Sequence, residues 1–152
     1  MVTPDFLDPG VLQDGDLKLV VRRLVPADPT KGWVPAYEFA MLSASTGAEM
    51  GKIALRLGDT HFLVMYGGQI GYSVSPEYRG HRYAARSVRL LLPLAKRHGI
   101  SPLWITCNPD NIASRRTCEF AGGQLIDIVP LPEDCDMYQR GEREKCRYRF
   151  DI

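Results

Sequence analysis

The segment QIGYSVSPEYRGHRYAARSVRLLLPLAKRHG, residues 69–99, constrains the fold most, because its hydrophobic period changes sharply along the segment. Gln69–Val74 has the composition of a short β-strand. Tyr83–His98 carries apolar residues three and four positions apart, which predicts a helix with one face on a sheet. Gly99 fits the end of that helix. The segment therefore predicts a strand, a turn and a helix that packs back on the sheet.

The turn before this helix concentrates positive charge, with Arg79, His81 and Arg82 around Gly80. A helix N-terminus already carries partial positive charge, so cations cost free energy there unless an anion is present. The free amides of such a turn bind phosphate groups. The turn matches neither a P-loop nor a GxGxxG dinucleotide motif. It therefore predicts a phosphate site, and the alternative is a solvated basic helix start.

Apolar and β-branched runs predict further strands on both sides of this unit. They are Leu17–Leu24, Ala36–Ala44, Glu49–Leu57, Pro102–Asn108, Gln124–Val129 and Lys145–Phe150. A second helix should have Asn111 or Asp110 as its N-cap and end at Gly122–Gly123. Asp59 can cap a short helical turn at His61–Tyr66.

The order of these elements is four strands, a helix, a strand, a helix and a closing hairpin of two strands. This order predicts an α/β (α+β) fold in which helices pack on a mixed, mostly antiparallel sheet. A chain of this length is expected to form one domain, residues 1–152. Within it, Met1–Asp16 should be an irregular N-terminal arm and Pro130–Arg143 a long polar loop.

Composition excludes several function classes. A formal net charge of +1 argues against a nonspecific nucleic-acid binder. The four cysteines form no CxxC pair, so no metal site is expected. The N-terminal stretch lacks the basic and apolar regions of a signal peptide, and no segment approaches the ~20 apolar residues of a membrane span. We expect a cytoplasmic protein with reduced thiols and no membrane partner.

Two motifs in sequence order resemble the GNAT acyl-CoA N-acyltransferase superfamily. In GYSVSPEYRGHRYAARS, Arg79 and Ala84 match the ends of the family's [QR]-x-x-G-x-[GA] turn, and Arg82 stands where the family usually has glycine. Helical backbone angles would accommodate an arginine at that position. In NPDNIASRRTCEFAGG, Asn111, Ser114 and Gly122 fit the second motif. The resemblance covers residues 67–123, and the flanking strands fit the same fold.

The resemblance implies that acetyl-CoA is the co-substrate and that this turn holds its pyrophosphate. The pantetheine arm should lie along the strand before the turn, where that strand splays from Leu103–Asn108. Asn111 and Ser114 should touch the pantetheine or the phosphates, and Arg82 should reach a phosphate or project to solvent. The implied coenzyme-binding residues are Tyr72, Ser73, Val74, Arg79, Gly80, His81, Arg82, Tyr83, Ala84, Asn111 and Ser114.

The implied reaction is the direct attack of a primary amine on the thioester. The tetrahedral oxyanion needs a donor, and the family's is the backbone N–H near Val74. The leaving thiolate needs a proton; many members use a tyrosine seven residues after the asparagine, where this chain has Cys118. Cys118 and Tyr138 are therefore candidate acids, with a buried small core residue as the alternative for Cys118. His61 is a candidate base, as are two strand carboxylates, Glu38 and Glu49.

The chain departs from the family between its first two long strands. The family usually has two helices there, which wall the acceptor pocket, whereas Val25–Pro35 is too short for them. The acceptor site should be more open, or be completed by a second subunit, the N-terminal arm or the Pro130–Arg143 loop. Trp33 is either an acceptor contact or a plug over the sheet.

The expected function is an N-acetyltransferase whose acceptor amine, a small molecule or a protein amine, stays open. The alternatives are an acyl-CoA-binding module without catalysis and, less favoured, a nucleic-acid binder that uses the basic face of the first helix. A homodimer is possible.

Overall fold

The computed structural model describes residues 1–152, which form two antiparallel sheets. The five-stranded sheet has the order β1-β2-β3-β4-β5, and the three-stranded sheet has the order β6-β8-β7. Their strands are β1 Leu12–Asp14, β2 Leu17–Val25, β3 Ala36–Ser43, β4 Glu49–Arg56, β5 Ile70–Val74, β6 Leu103–Cys107, β7 Gln124–Pro130 and β8 Glu144–Phe150. The predicted α/β fold, with helices on mostly antiparallel strands, is confirmed. Every ladder is antiparallel, and neither sheet contains the parallel pairing of a mixed sheet.

The hairpin of β3 and β4 shows how alternation assigns the two faces of the large sheet. Tyr37, Phe39 and Met41 of β3 are buried in the core, together with Ile53 and Leu55 of β4. The residues between them, which include Glu38, Lys52, Ala54 and Arg56, point to the opposite face because side chains alternate along a strand. One face therefore builds the core and the other is free to form a site.

Two longer helices lie against the sheets. Helix α1, Tyr83–Arg97, continues through Pro93 and buries the predicted apolar face. Helix α2, Ile112–Phe120, begins at Asn111, whose side chain accepts from the Ser114 amide at 3.1 Å, so Asn111 rather than Asp110 is the cap. Gly99 follows α1 with φ +82°, the left-handed conformation expected of a helix-ending glycine.

The two sheets meet at Gln69, immediately before β5. Its amide donates to the Trp104 carbonyl at 2.8 Å, and its side-chain oxygen accepts from the Trp104 amide at 2.8 Å. Its Nε2 donates to the Gly58 carbonyl at 2.8 Å. Beyond this point β5 and β6 share no ladder. The predicted splay between the two strands is therefore present, and it leaves one edge of β5 open.

The N-terminal arm is more ordered than predicted. Leu12–Asp14 of the expected irregular arm is strand β1, paired with β2. Ahead of it, the Leu7 amide donates to the Tyr37 hydroxyl at 2.7 Å, and the Thr3 amide donates to the His98 carbonyl at 2.7 Å. The prediction missed β1 because three residues are too few to show an alternation.

Two loop predictions need correction. Thr60, not Asp59, caps the short turn, since its hydroxyl accepts from the Leu63 amide, and the turn there is a π-helix, Leu63–Gly67. The Pro130–Arg143 loop contains a short helix α3, Asp136–Gln139. Between β2 and β3 there is no helix, only an isolated bridge from Asp28 to Trp33, as predicted from the length of that connection.

Candidate active site

The turn between β5 and α1 forms a nest of free backbone amides. None of the amides of residues 80–84 donates to a protein acceptor, and the first intrahelical bond starts at Arg86. Gly80 has φ +94° and Arg82 has φ +59°. Left-handed residues next to right-handed ones turn successive amides toward one point, which makes an anion-binding concavity. The nest therefore fits a pyrophosphate.

A cavity of about 800 Å³ extends from this nest between β5 and α2. All the residues predicted to bind coenzyme line it except His81, whose exposed ring lies 5.4 Å from that of Tyr83. Helix α2 adds Arg116, Thr117 and Phe120, which the sequence reading missed. They lie three, four and seven positions after Ala113, and this helical spacing is the signal that would have found them.

The open edge of β5 faces this cavity. The Ser75 amide donates to the Met50 carbonyl at 2.9 Å, on the β4 side. Because successive amides along a strand point to opposite edges, the amides of Val74 and Tyr72 are directed toward the cleft. Arg79 Nε donates to the Val74 carbonyl at 3.0 Å on the same edge. The strand thus offers two amide donors to an extended ligand, while Arg79 occupies the Val74 carbonyl.

A second cavity, of about 510 Å³, lies on the outer face of the five-stranded sheet. It touches the first one at β5, because Tyr72 and Ser73 line both. Its other lining residues are Arg22, Glu38, Phe39, Glu49, Lys52, Ile53, Ala54, Arg56 and Gly71. A cleft with free backbone amides therefore adjoins a second, charged cavity at a single strand.

The family model for the acetyltransferase (GNAT) domain matches residues 12–124. The chain belongs to the GNAT acetyltransferase family. It is therefore an acetyltransferase that takes its acetyl group from acetyl-CoA. A search of curated protein sequences gave no match.

Solved structures share the fold of this acetyltransferase. A putative ribosomal-protein-serine acetyltransferase from Vibrio cholerae superposes with a TM-score of 0.66 at 16% identity, and the match covers 99% of each chain. The RimL ribosomal L7/L12 alpha-N-protein acetyltransferase in complex with coenzyme A gives 0.60 at 18% identity, over 81% of this chain and 64% of that one. The microcin C7 self-immunity acetyltransferase MccE, in complex with acetyl-CoA and AMP, gives 0.59 at 15% identity, over 77% and 61%.

A hydroxyl reaches the coenzyme cleft of the acetyltransferase from β5. The Tyr72 hydroxyl lies 2.8 Å from Ser114 Oγ and 3.7 Å from Cys118 Sγ. Cys118 is fully buried, and burial raises the pKa of its thiol to about 12. Burial also raises the pKa of Tyr72, so its hydroxyl stays protonated at neutral pH. The hydroxyl stands beside the residue at which the family resemblance implies a tyrosine.

Other candidates lie away from the two cavities of the acetyltransferase. His61 is exposed and packs edge-on against Tyr66, and Tyr138 stacks with the Arg143 guanidinium at 3.9 Å. Neither lines the coenzyme cleft or the outer cavity. Trp33 is 52% exposed beneath Lys31, so it is neither a cavity wall nor a plug. The N-terminal arm and the 130–143 loop also contribute no lining residue.

Arg82 of the acetyltransferase differs from the sequence-based expectation for its backbone. Its backbone is left-handed rather than helical, so the expected helical angles were wrong. Its guanidinium carbon lies 3.8 Å from the centre of the Phe120 ring, so the side chain crosses from the nest to α2 instead of projecting freely to solvent. The contact with the aromatic face offsets part of the backbone cost.

Proposed function

We propose that this acetyltransferase transfers the acetyl group directly to a primary amine held in the outer cavity. The observation that carries the proposal is the sharing of Tyr72 and Ser73 by the two cavities. A coenzyme in the cleft and an amine in the charged cavity would meet at these residues, and direct transfer requires the reacting atoms to be adjacent.

The residues of the cleft fit coenzyme A in order along its length. The free amides of residues 80–84 would hold the pyrophosphate. The open edge of β5 would pair with the amides of the pantetheine arm, which runs back from Val74 toward Gly71. Asn111 keeps its side-chain NH₂ free while its oxygen caps α2. Bound in this way, acetyl-CoA supplies an activated thioester for attack by the amine.

We assign the proton transfers to Glu38 and Tyr72. Glu38 lines the outer cavity and shares a register row with Ala54 and Gly71, next to Tyr72, so it would receive the amine's proton through water. The Tyr72 hydroxyl would protonate the leaving thiolate, with Ser114 and Cys118 as its hydrogen-bond partners. The Val74 amide would donate to the oxyanion.

Other assignments from the sequence have less support. Glu49 also lines the cavity, but it stands at the far end of β4 from the row that Glu38 shares with Gly71. Each carboxylate has an arginine partner, Arg22 for Glu49 and Arg23 for Glu38, so position and not pairing favours Glu38. Cys118 as a direct acid, His61 as a base and Tyr138 as an acid remain predictions. Matched variants separate them, since His61→Ala and Tyr138→Phe should leave turnover unchanged while Tyr72→Phe lowers it.

Calorimetric titration with acetyl-CoA tests the coenzyme site. Gly80→Glu puts a carboxylate into the nest and should weaken binding at least about tenfold by charge repulsion. Gly141→Glu is the matched control: Gly141 has φ +103° and, like Gly80, open space around it, but lies in the loop before β8. Equal affinity of Gly80→Glu and the wild type would refute the site.

Thiol release from acetyl-CoA in the presence of amines tests turnover. A protein that binds acetyl-CoA but releases no thiol with any amine would be the binding module considered above. Two of the structural neighbours are named as ribosomal-protein acetyltransferases, so peptides with free N-termini belong in the acceptor panel beside small amines.

Assembly and location remain proposals. Strand β7 is an edge of its sheet and exposes Leu125, Ile126 and Ile128, which supports a homodimer. Light scattering coupled to gel filtration measures the oligomeric state directly.

Four free cysteines support a cytoplasmic location. A flat salt dependence of any DNA binding would support the expectation against a nucleic-acid partner. None of the helices has the length and hydropathy of a membrane span.

A further inference from the structure

Arg56 is a half-buried cation with no carboxylate partner. It stands on β4 and lines the outer cavity. Its Nη1 donates to the carbonyls of Gly68 at 2.8 Å and Gly67 at 3.3 Å, whereas Nε and Nη2 have no protein acceptor. No carboxylate oxygen lies within 4.0 Å of it. Burying a charge without a counter-ion is unfavourable.

The free edge of this guanidinium lies over a glycine. A Cβ added at Gly71 would stand 3.0 Å from Arg56 Nη2, so the glycine makes room for the guanidinium at this position. Gly71 adjoins Tyr72, where the two cavities meet. The Nε and Nη2 groups of an arginine form a planar fork that matches the two oxygens of a carboxylate. An anion held there would lie close to the reaction centre.

The other charges of the cavity leave this fork available. Glu49 faces Arg22 at 4.0 Å, and Glu38 pairs with Arg23 at 3.0 Å. Glu38 faces Ala54 across the ladder, and Arg56 is two residues farther along β4 on the same face. Such diagonal neighbours stand about 7 Å apart. A carboxylate and a cation thus stand on one face of the sheet, with the small residues Ala54 and Gly71 beside them.

Resting on the N-acetyltransferase function proposed above, we propose that the acceptor is an amine that also carries a carboxylate, and that Arg56 binds this carboxylate through Nε and Nη2. The ammonium end would lie toward Glu38, which accepts its proton. Burial without a counter-ion lowers the pKa of Arg56, and an incoming carboxylate would reverse this effect. The class comprises amino acids and short amino carboxylates.

Thiol release with matched acceptor pairs tests the proposal. Each pair compares an amino acid that has a free carboxylate with its primary amide, so that the carbon skeleton is the same. The amino acids are glycine, alanine, β-alanine and 4-aminobutyrate. Peptides with a free N-terminus and an amidated C-terminus form a further set of acceptors. In the wild type, kcat/KM for the best carboxylate should exceed that of its amide by roughly tenfold or more, as expected for a charge-assisted bond.

Variants assign that preference to the guanidinium. Arg56→Met should remove the preference by slowing the carboxylate and not the amide, and Arg56→Lys should keep part of it. Lys18→Gln removes an exposed cation from the same sheet outside the cavity and should change nothing. Thermal unfolding and acetyl-CoA affinity of each variant verify that the fold and the coenzyme site persist.

The outcomes distinguish this proposal from the function on which it rests. Absence of acetyl-CoA binding, or of thiol release with every acceptor, defeats the N-acetyltransferase function itself. Turnover in which amides or peptide amides match or exceed the carboxylates overturns the carboxylate proposal alone. A preference for carboxylates that survives in Arg56→Met overturns the assignment to Arg56.

Discussion

The left-handed backbone of Arg82 allows a stability prediction that separates backbone strain from side-chain contact. Arg82→Ala and Arg82→Gly both delete the guanidinium stacked 3.8 Å from the Phe120 ring centre. That contact is worth about 0.5–1 kcal/mol at an exposed site. The two variants differ only at Cβ, so their difference reports on the conformation with φ +59°.

The expected magnitude follows from two opposing contributions. A residue with a Cβ pays about 1–2 kcal/mol in the left-handed conformation, and glycine does not. Glycine loses about 0.5–1 kcal/mol more backbone entropy on folding. Arg82→Gly should therefore be more stable than Arg82→Ala by about 0.5–1 kcal/mol, and close to the wild type.

Urea unfolding followed by circular dichroism, without ligand, measures this difference. If Arg82→Ala proves as stable as Arg82→Gly, the backbone at this position is not left-handed in solution, and the nest amides do not converge as described. Acetyl-CoA titration adds a second readout. The nest amides remain in both variants, and one exposed cation contributes at most about 1 kcal/mol, so affinities should stay within about fivefold of the wild type.

Three further predictions concern the cleft and the core. Tyr72→Phe should lower kcat about 100-fold with little change in acetyl-CoA affinity, as expected for loss of a general acid; an unchanged kcat would exclude that role. Gly71→Ala should displace the Arg56 guanidinium, raising KM for carboxylate-bearing amines and not for their amides; equal effects on both would contradict the subsite. Burial raises the pKa of Cys107 to about 11 and of Cys118 to about 12, from about 9. Above pH 9 the unfolded thiols ionise first, so the free energy of unfolding should fall as pH rises from about 9 to about 12, and Cys118→Ala should flatten that slope in urea titrations.

The parts of the fold that local chemistry decides were predictable from the sequence. The strand–turn–helix unit, the β3–β4 hairpin and a helix cap at Asn111 or Asp110 follow from side-chain periodicity and capping chemistry, which act over a few residues. The short β2–β3 connection followed from counting residues, because 11 positions cannot hold two helices.

The parts that depend on packing between distant segments were not predictable. Nothing near Tyr72 in the sequence indicates that its hydroxyl reaches Ser114, 42 residues later. In the sequence, Arg56 is an ordinary polar position on a strand with alternating residues. Only the folded structure shows that no carboxylate contacts it. The backbone of Arg82 was wrongly predicted because arginine carries no preference for left-handed angles, so its tertiary setting imposes them.

Because β5 and β6 separate beyond Gln69, the exposure of the β5 edge depends on whether coenzyme is bound. An empty cleft leaves the edge amides of Tyr72 and Val74 in water, where their hydrogens exchange freely with the solvent. A bound coenzyme would pair with β5 as an additional strand does and would shield these amides from the solvent. The loaded enzyme should then be the more rigid form, and each release of coenzyme A should briefly reopen the middle of the molecule.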